Sequence, residues 1–251
     1  MCIRDRYIFM ALAICLVLLV PFILPSLVAK KEISTNPHSI SVTTFSTMTR
    51  TENHQDVARF AQKKQPDILC LQEVSKPHLI KLKASLDATY KYSVSNNNNL
   101  TVFSLHPIKL ENDQGSYFSS TVELPKLGPT TIINAHMPRQ YRQKKITDQW
   151  QKLLDLLASI DNRKAILCGD LNLTPNNSIY DLIIQGYGFD DAVKHGYGFT
   201  FPNAQRKIAI FGPWARIDYL LSRNIIPYNT KTINVSKLSD HRAVMTYYKE
   251  Q

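Results

Sequence analysis

Alternation between apolar and polar positions sets in at residue 39. Ile40, Val42 and Thr44 face one way against Ser39, Ser41 and Thr43, the period-two mark of a half-buried strand. The period then lengthens: Val57, Phe60 and Ala61 share a helical face, and Pro66 ends it. Ile68 to Leu71 reads as a short apolar strand, and Leu79, Leu82 and Leu86 mark a second helix. Strands are predicted at Leu100–Ser104, Tyr117–Leu124 and Thr131–Ala135. The clearest helix spans Ile146–Ile160, with Ile146, Trp150, Leu153, Leu154 and Leu157 on one face. A strand from Ala165, a short helix near Ser178–Ile184, and strands near Ile217–Leu221, Thr230–Val235 and Ala243–Tyr248 complete the pattern. Strands outnumber helices and both recur throughout, which predicts one α/β domain over 39–251, with two packed sheets and outer helices.

Several strands end in residues that strands usually avoid. In ILCGDLNLTP, 166–175, the apolar run gives way to Gly169, Asp170 and Asn172. One such ending reads as a turn, because Gly, Asp, Asn and Pro favour turns on backbone grounds. The ending recurs: PDILCLQEV gives Gln72 and Glu73, and TIINAHM gives Asn134 and His136. RIDYLLS gives Arg216 and Asp218, and SDHRAVM gives Asp240 and His241. A single strand-end glutamate is ordinarily solvated and a single histidine ordinarily satisfied in the core. The whole set points to one shared site.

Composition changes the picture at the N-terminus. Tyr7 to Ala29 holds no charged residue; in helix, at about 1.5 Å per residue, that length matches a hydrocarbon core of roughly 30 Å. Pro21 and Pro25 are tolerated more readily in a membrane span than in water. Residues 1–31 are expected to form an anchor, spanning over 7–29, with a linker at 32–38. A cleaved signal peptide, with Arg4 and Arg6 as its basic start, is the alternative. The opening MCIRDR resembles a translated sequencing adapter, so orientation is not assigned from those arginines.

Residues 1–31 hold four basic residues and one acidic, leaving 26 against 19 and a net charge of +7 for the rest. That excess suits a phosphate-bearing substrate or an anionic membrane surface and says nothing about fold. Cys70 and Cys168 sit in apolar runs and are expected as small core residues; their spacing demands no disulfide. The run Asn96–Asn99 predicts a loop tip.

LQE, GDLN, RID and SDH, in this order and at this spacing, resemble the endonuclease/exonuclease/phosphatase superfamily, the deoxyribonuclease I-like metal-dependent phosphoesterases. The likeness covers roughly Ser39 to Tyr248, and GYGFTFP followed by RIDYLL resembles membrane-attached bacterial members. It implies a four-layer α/β sandwich and hydrolysis of a phosphodiester with Mg²⁺ or Mn²⁺. Glu73 and Asp240 match the metal-side carboxylates, and Gln72 a neighbouring orienting group. Asp170 matches the carboxylate that aligns and deprotonates the attacking water, with Asn172 donating its amide beside it. Asp218 matches the partner that orients His241, whose charge would stabilise the phosphoryl oxygens. His136 matches the position that stabilises or protonates the leaving oxygen.

The chain departs from that pattern in two places. Ser46 stands where the family has a metal-binding asparagine, and Ser104, Leu105, His106 and Pro107 replace serine–arginine–aromatic–proline, with His106 expected as the packing group. The expected function is a membrane-anchored, divalent-metal-dependent phosphodiesterase, monomeric, in a bacterial inner membrane with its domain in the periplasm, or secreted if the signal is cleaved. A nuclease is favoured over a lipid- or inositol-phosphate hydrolase by the positive charge; a silent phosphate-binding protein on the same scaffold is the alternative. Arg139, Arg142, Lys144 and Lys145, with Tyr141 among them, would form either a rim that attracts nucleic acid or lipid phosphate, or a solvated helix start.

Overall fold

A strand with apolar residues on both faces must be covered twice. In Ala165–Asp170, Ile166 and Cys168 enter one apolar layer while Ala165 and Leu167 enter another. In Ile68–Gln72, Ile68 and Cys70 share the first of these layers, and Leu69 and Leu71 enter a third. Such alternation produces four layers: helices, sheet, sheet, helices.

The computed structural model describes residues 39–48, 54–139, 147–160, 162–193, 198–203, 212–235 and 238–251. The expected anchor, the linker, and Tyr141, Arg142, Lys144, Lys145 and Ile146 lie outside the described residues. In chain order the elements are β1 (Ile40–Ser46), α1 (His54–Lys64), β2 (Ile68–Gln72), α2 (Lys76–Leu86), β3 (Tyr92–Ser95) and β4 (Thr101–Ser104). Then follow β5 (Ile108–Asp113), β6 (Tyr117–Leu124), β7 (Gly128–His136), α3 (Asp148–Ser159) and β8 (Ala165–Asp170). The chain continues with α4 (Ser178–Asp181), a π-helical turn at Leu182–Gly186, β9 (Asp190–Asp191), β10 (Asp218–Arg223), β11 (Ile226–Ile233) and β12 (Ala243–Lys249).

Two six-stranded sheets result, ordered β11-β12-β1-β2-β4-β3 and β5-β6-β7-β8-β10-β9. Each is mixed. β1 runs parallel to β2, and β7 to β8, each pair joined by a crossover helix, α1 or α3. The layer between the sheets holds Val42, Cys70, Phe118, Ile132, Cys168, Leu220 and Tyr248; both cysteines are free there. Trp150 and Leu153 of α3 pack on Ile133 and Leu167, and Val57 and Ala61 of α1 on Phe45 and Leu69. Among the described residues, no helix is long and apolar enough to cross a membrane.

The structure departs from the sequence pattern in three places. β1 is buried along its whole length, not on one face, because helices cover its second side. Its small polar residues are accommodated by hydrogen bonds: Ser41 N and Oγ both donate to Asp67 Oδ2, at 2.8 and 2.7 Å. β3 and β5 are additional edge strands whose largely unburied side chains give no apolar alternation. His106 is not a packing group; its Nε2 lies 3.1 Å from Asp67 Oδ1, in a polar cluster with Ser41.

Candidate active site

Register brings the strand ends together. His136 pairs with Asp170 across β7 and β8, and Asp170 pairs with Asp218 across β8 and β10, so three neighbouring strands present their last or first residue in one row. The other sheet answers from its own central strands. Ser46 ends β1 opposite Gln72, Glu73 follows β2, and Asp240 and His241 immediately precede β12.

Gly169 makes the row possible. Its φ is +136°, a left-handed conformation, and a Cβ there would lie 1.9 Å from the Ala135 carbonyl oxygen. Only glycine lets β7 and β8 approach at this point.

His241 is held from behind. Its Nδ1 lies 2.9 Å from Asp218 Oδ2 and 3.1 Å from Oδ1, while Nε2 faces Asp170 Oδ2 at 3.9 Å. His136 Nε2 sits between Glu73 Oε1 at 3.7 Å and Asp170 Oδ2 at 3.8 Å. Asn172, at φ +52°, donates its backbone N–H to Asp170 Oδ1 at 2.9 Å. Its side-chain amide donates to Met137 O at 3.0 Å, which occupies one of its two hydrogens. Its Oδ1 accepts from Arg139 Nε at 3.4 Å.

The electrostatics follow from this crowding. Burial first, then repulsion from Asp218, pushes the Asp170 carboxyl up to about 8, against the opposing pull of His241 and the Asn172 N–H. Burial alone would discharge His241, but the attraction and hydrogen bond of Asp218, helped by Asp170 and Asp240, raise it to about 10. His136 is lowered by burial and by His241, opposed by Glu73, so its neutral form is favoured.

Gln72 and Asn134 do not reach toward this row. Gln72 Nε2 donates to Thr44 Oγ1 at 3.0 Å and Asn134 Oδ1 at 2.7 Å, and Asn134 Nδ2 donates to the carbonyls of Leu71 and Thr101. The pair ties the two sheets together beneath the site. Arg216 is likewise structural: buried, 2.5 Å from Asp191 Oδ2 and over the Tyr219 ring.

Sequence patterns missed a brace formed by Thr200, Phe201 and Asn203. Thr200 Oγ1 accepts from the N–H groups of Ile217 and Asp218, at 3.2 and 3.3 Å. Asn203 N donates to Asp240 O at 2.6 Å and its Nδ2 to His241 O at 3.2 Å; the Phe201 ring lies 5.0 Å from that of His241. One short segment therefore fixes both Asp218 and His241. The only signal in the sequence was the GYGFTFP run, which has no periodicity.

The donor set suits a hard divalent cation, which favours oxygen ligands. Among the described residues, one group of carboxylate and imidazole donors lies within 4.8 Å: Asp170, Asp218 and His241. The expected metal-side residues Glu73, Asp240 and Ser46 are outside it, although Glu73 acts electrostatically on Asp170 and His136, and Asp240 on His241. A cation held there would offset the burial and the Asp218 repulsion that raise Asp170.

The model of the endonuclease/exonuclease/phosphatase family matches residues 47–241. The chain belongs to that family. Its fold is similar to a family protein from Bacteroides vulgatus, with a TM-score of 0.68 and 16% identity over 85% of this chain and 99% of that one. A family protein from Leptotrichia buccalis aligns with a TM-score of 0.66 and 19% identity over 84% and 99%. D. rerio TDP2 complexed with single strand DNA product gives 0.60 and 16% over 84% and 99%. No curated protein matches the chain in sequence. Members of this family are typically hydrolytic phosphoesterases that use divalent metals, and the site described above has the groups for that chemistry.

Proposed function

We propose that the protein is a membrane-anchored, Mg²⁺-dependent phosphodiesterase. The observation that carries this is the convergence of buried Asp170 on His241, whose Nδ1 is held 2.9 Å from buried Asp218 Oδ2 and whose Nε2 faces Asp170 Oδ2 at 3.9 Å. Burial pushes the Asp170 carboxyl up and Asp218 raises His241, which sets a proton acceptor beside a fixed positive charge.

Glu73 and Asp240, with Asp170 close by, would hold the cation, whose charge would screen the phosphate from its nucleophile. Asp170 accepts the proton of the attacking water, and the second amide hydrogen of Asn172 steers that water or the phosphate. His241, fixed by Asp218, donates to a phosphoryl oxygen as charge builds. His136 offers a ring N–H to the leaving oxygen from the opposite side. Residues 7–29 supply the anchor, with the domain on the periplasmic side.

The net charge of +7 outside the N-terminal segment supports nucleic acid as substrate, as does the similarity to a fold that holds a DNA product in D. rerio TDP2. Anchoring supports a phospholipid instead. The test is the full chain in detergent, with Mg²⁺ or chelator, on bis-p-nitrophenyl phosphate, plasmid DNA and phospholipid vesicles. Metal-dependent release of p-nitrophenol is expected. Strong loss of activity with salt marks the nuclease, and dependence on vesicle presentation marks the lipid hydrolase. Binding of phosphate ligands without metal-dependent turnover on any of the three would overturn the assignment in favour of a silent binding protein, for which Ser46 and Leu105 give the motive.

A further inference from the structure

Beneath the site the two sheets come close together. Stacked sheets ordinarily lie about 10 Å apart, yet Cα atoms of β2 approach those of β7 and β8 to within 8 Å. A polar tie holds them there: Asn134 of β7 donates through Nδ2 to Leu71 O of β2 at 3.1 Å. Next to that tie, on each side, stands a cysteine. Cys70 precedes Leu71 in β2, and Cys168 of β8 is the register partner of Asn134. Alternation sends Leu69 and Leu167 to the outer layers and both cysteines into the layer between the sheets, where neither is exposed.

The two thiols are neighbours. Burial, and then the hydrogen bond to the Cys70 thiol, push the Cys168 thiol up. Cys168 Sγ also donates to Ile133 O at 3.2 Å, which gives the side chain a set direction. Tyr248, buried in the same layer, has both sulfurs near enough to act on its hydroxyl. Packing alone asks only for small apolar residues at these two positions and gives no reason for a pair of thiols in contact. A disulfide needs Cα atoms about 4.4–6.8 Å apart, a span that sheets at ordinary spacing exceed and that the close approach of β2 to β8 favours.

We infer that Cys70 and Cys168 join in a disulfide when the chain folds under oxidising conditions, bracing β2 to β8 just before Glu73 and Asp170. The step is thiol–disulfide exchange with an external low-molecular-weight disulfide. One cysteine thiolate attacks that disulfide, forms a mixed disulfide and releases the first small thiol; the second cysteine thiolate then displaces the other. The two cysteine protons end on the two released thiols, and two electrons pass to the external disulfide. Exchange precedes closure of the layer, because a protonated thiol in apolar surroundings is inert. The bond closes a loop of about a hundred residues, long enough to restrict the unfolded chain strongly. It does not depend on the phosphodiesterase assignment.

The test uses the full chain in detergent, reduced and unfolded, then refolded either with reductant or through a buffer of reduced and oxidised glutathione. Free thiols are blocked with N-ethylmaleimide and the protein is digested without reduction. In the glutathione sample alone, mass spectrometry should find the peptide of Cys70 joined to that of Cys168, lighter by two hydrogens than the free pair. The bridged protein should melt about 5 °C or more above the reduced one, and dithiothreitol should abolish the difference. Cys70→Ala and, independently, Cys168→Ala should melt at the same temperature after either treatment. Maleimide on both cysteines after oxidative refolding overturns the proposal, and mapping of the unaltered chain reads this whether or not the variants fold. A bridge from either residue to Cys2 or Cys15 overturns it as well. So does a bridge between Cys70 and Cys168 that leaves Tm unchanged or lowers it, or a melting difference that persists in either variant.

Discussion

In each sheet a parallel pair of strands, joined by a helix on the outer face, ends at the site: β1–α1–β2 in one, β7–α3–β8 in the other. What the two units deliver there differs. The first brings Ser46 and Glu73, whose side chain is 31% exposed; the second brings His136 and Asp170, the latter 3% exposed, with buried Asp218 beside it. A half-buried carboxylate at a strand end is open to a cation from solution. A buried one resists ionisation and can accept a proton near neutral pH. In the proposed mechanism, similar frames divide the labour between cation capture and proton transfer.

The division can be broken from the buried side first. Asp170→Asn and His241→Ala should each lower turnover by about two orders of magnitude or more, at any Mg²⁺ concentration. Steady-state hydrolysis by the folded variants checks this, and near-wild-type rates would refute the assigned roles. Asp218 should act through His241: the double variant Asp218→Ala/His241→Ala should be little worse than His241→Ala, because groups acting as a unit are non-additive. Multiplying losses would mean that the 2.9 Å contact does not serve catalysis.

On the exposed side the effect should appear in the metal requirement. Glu73→Gln should raise the Mg²⁺ concentration for half-maximal activity by about a hundredfold, at the upper end of what even outer-shell changes cost. A Mg²⁺ titration with an unchanged midpoint would place the cation elsewhere. Ser46→Asn should lower the midpoint, by no more than the roughly 1.5–3 kcal/mol of a hydrogen bond to a charged centre. An unchanged or higher requirement in a well-folded protein would show that this position is not equivalent to the family asparagine.

The smallest effect is on stability in metal-free protein. The folded state raises Asp170 from 3.8 to about 8 and His241 from 6.5 to about 10. Both groups therefore bind protons more tightly when folded, and their contribution is lost as pH rises. The Asp170 part disappears between about pH 4 and 8 and the His241 part between about 6.5 and 10. Thermal melts across this range should show a falling Tm, and Asp170→Asn should gain a few degrees near pH 8. A wild-type Tm that is flat or rises would contradict both shifts.

Much of this architecture is legible in the chain because apolar alternation and strand ends are local signals. β2, β6, β8 and β12 announce themselves through Ile68–Leu71, Tyr117–Leu124, Ala165–Cys168 and Ala243–Tyr248, and their polar terminal residues name the site. β3 and β5 do not, since edge strands such as Tyr92–Ser95 expose side chains that need no pattern. Full burial of β1 was hidden because Ser41 and Thr44 satisfy their polarity through Asp67 and Gln72, distant in sequence. Thr200 and Asn203 were hidden for the same reason: their work is done by hydrogen bonds to residues 17 to 38 positions away.

Gly169 carries a consequence for how this chain can change. A strand that admits no side chain at the residue before Asp170 closes that position to mutation, whatever the substrate. The neighbouring step of variation has to be taken elsewhere. The loops around Asn98 and Ser116 contribute no residue to the row itself, and loops of this kind tolerate changes of length and side chain better than strands do. A lineage descending from this sequence would keep its reaction and alter its appetite, and a laboratory library aimed at new substrates should spare residues 165–170 and randomise 96–99 and 114–116.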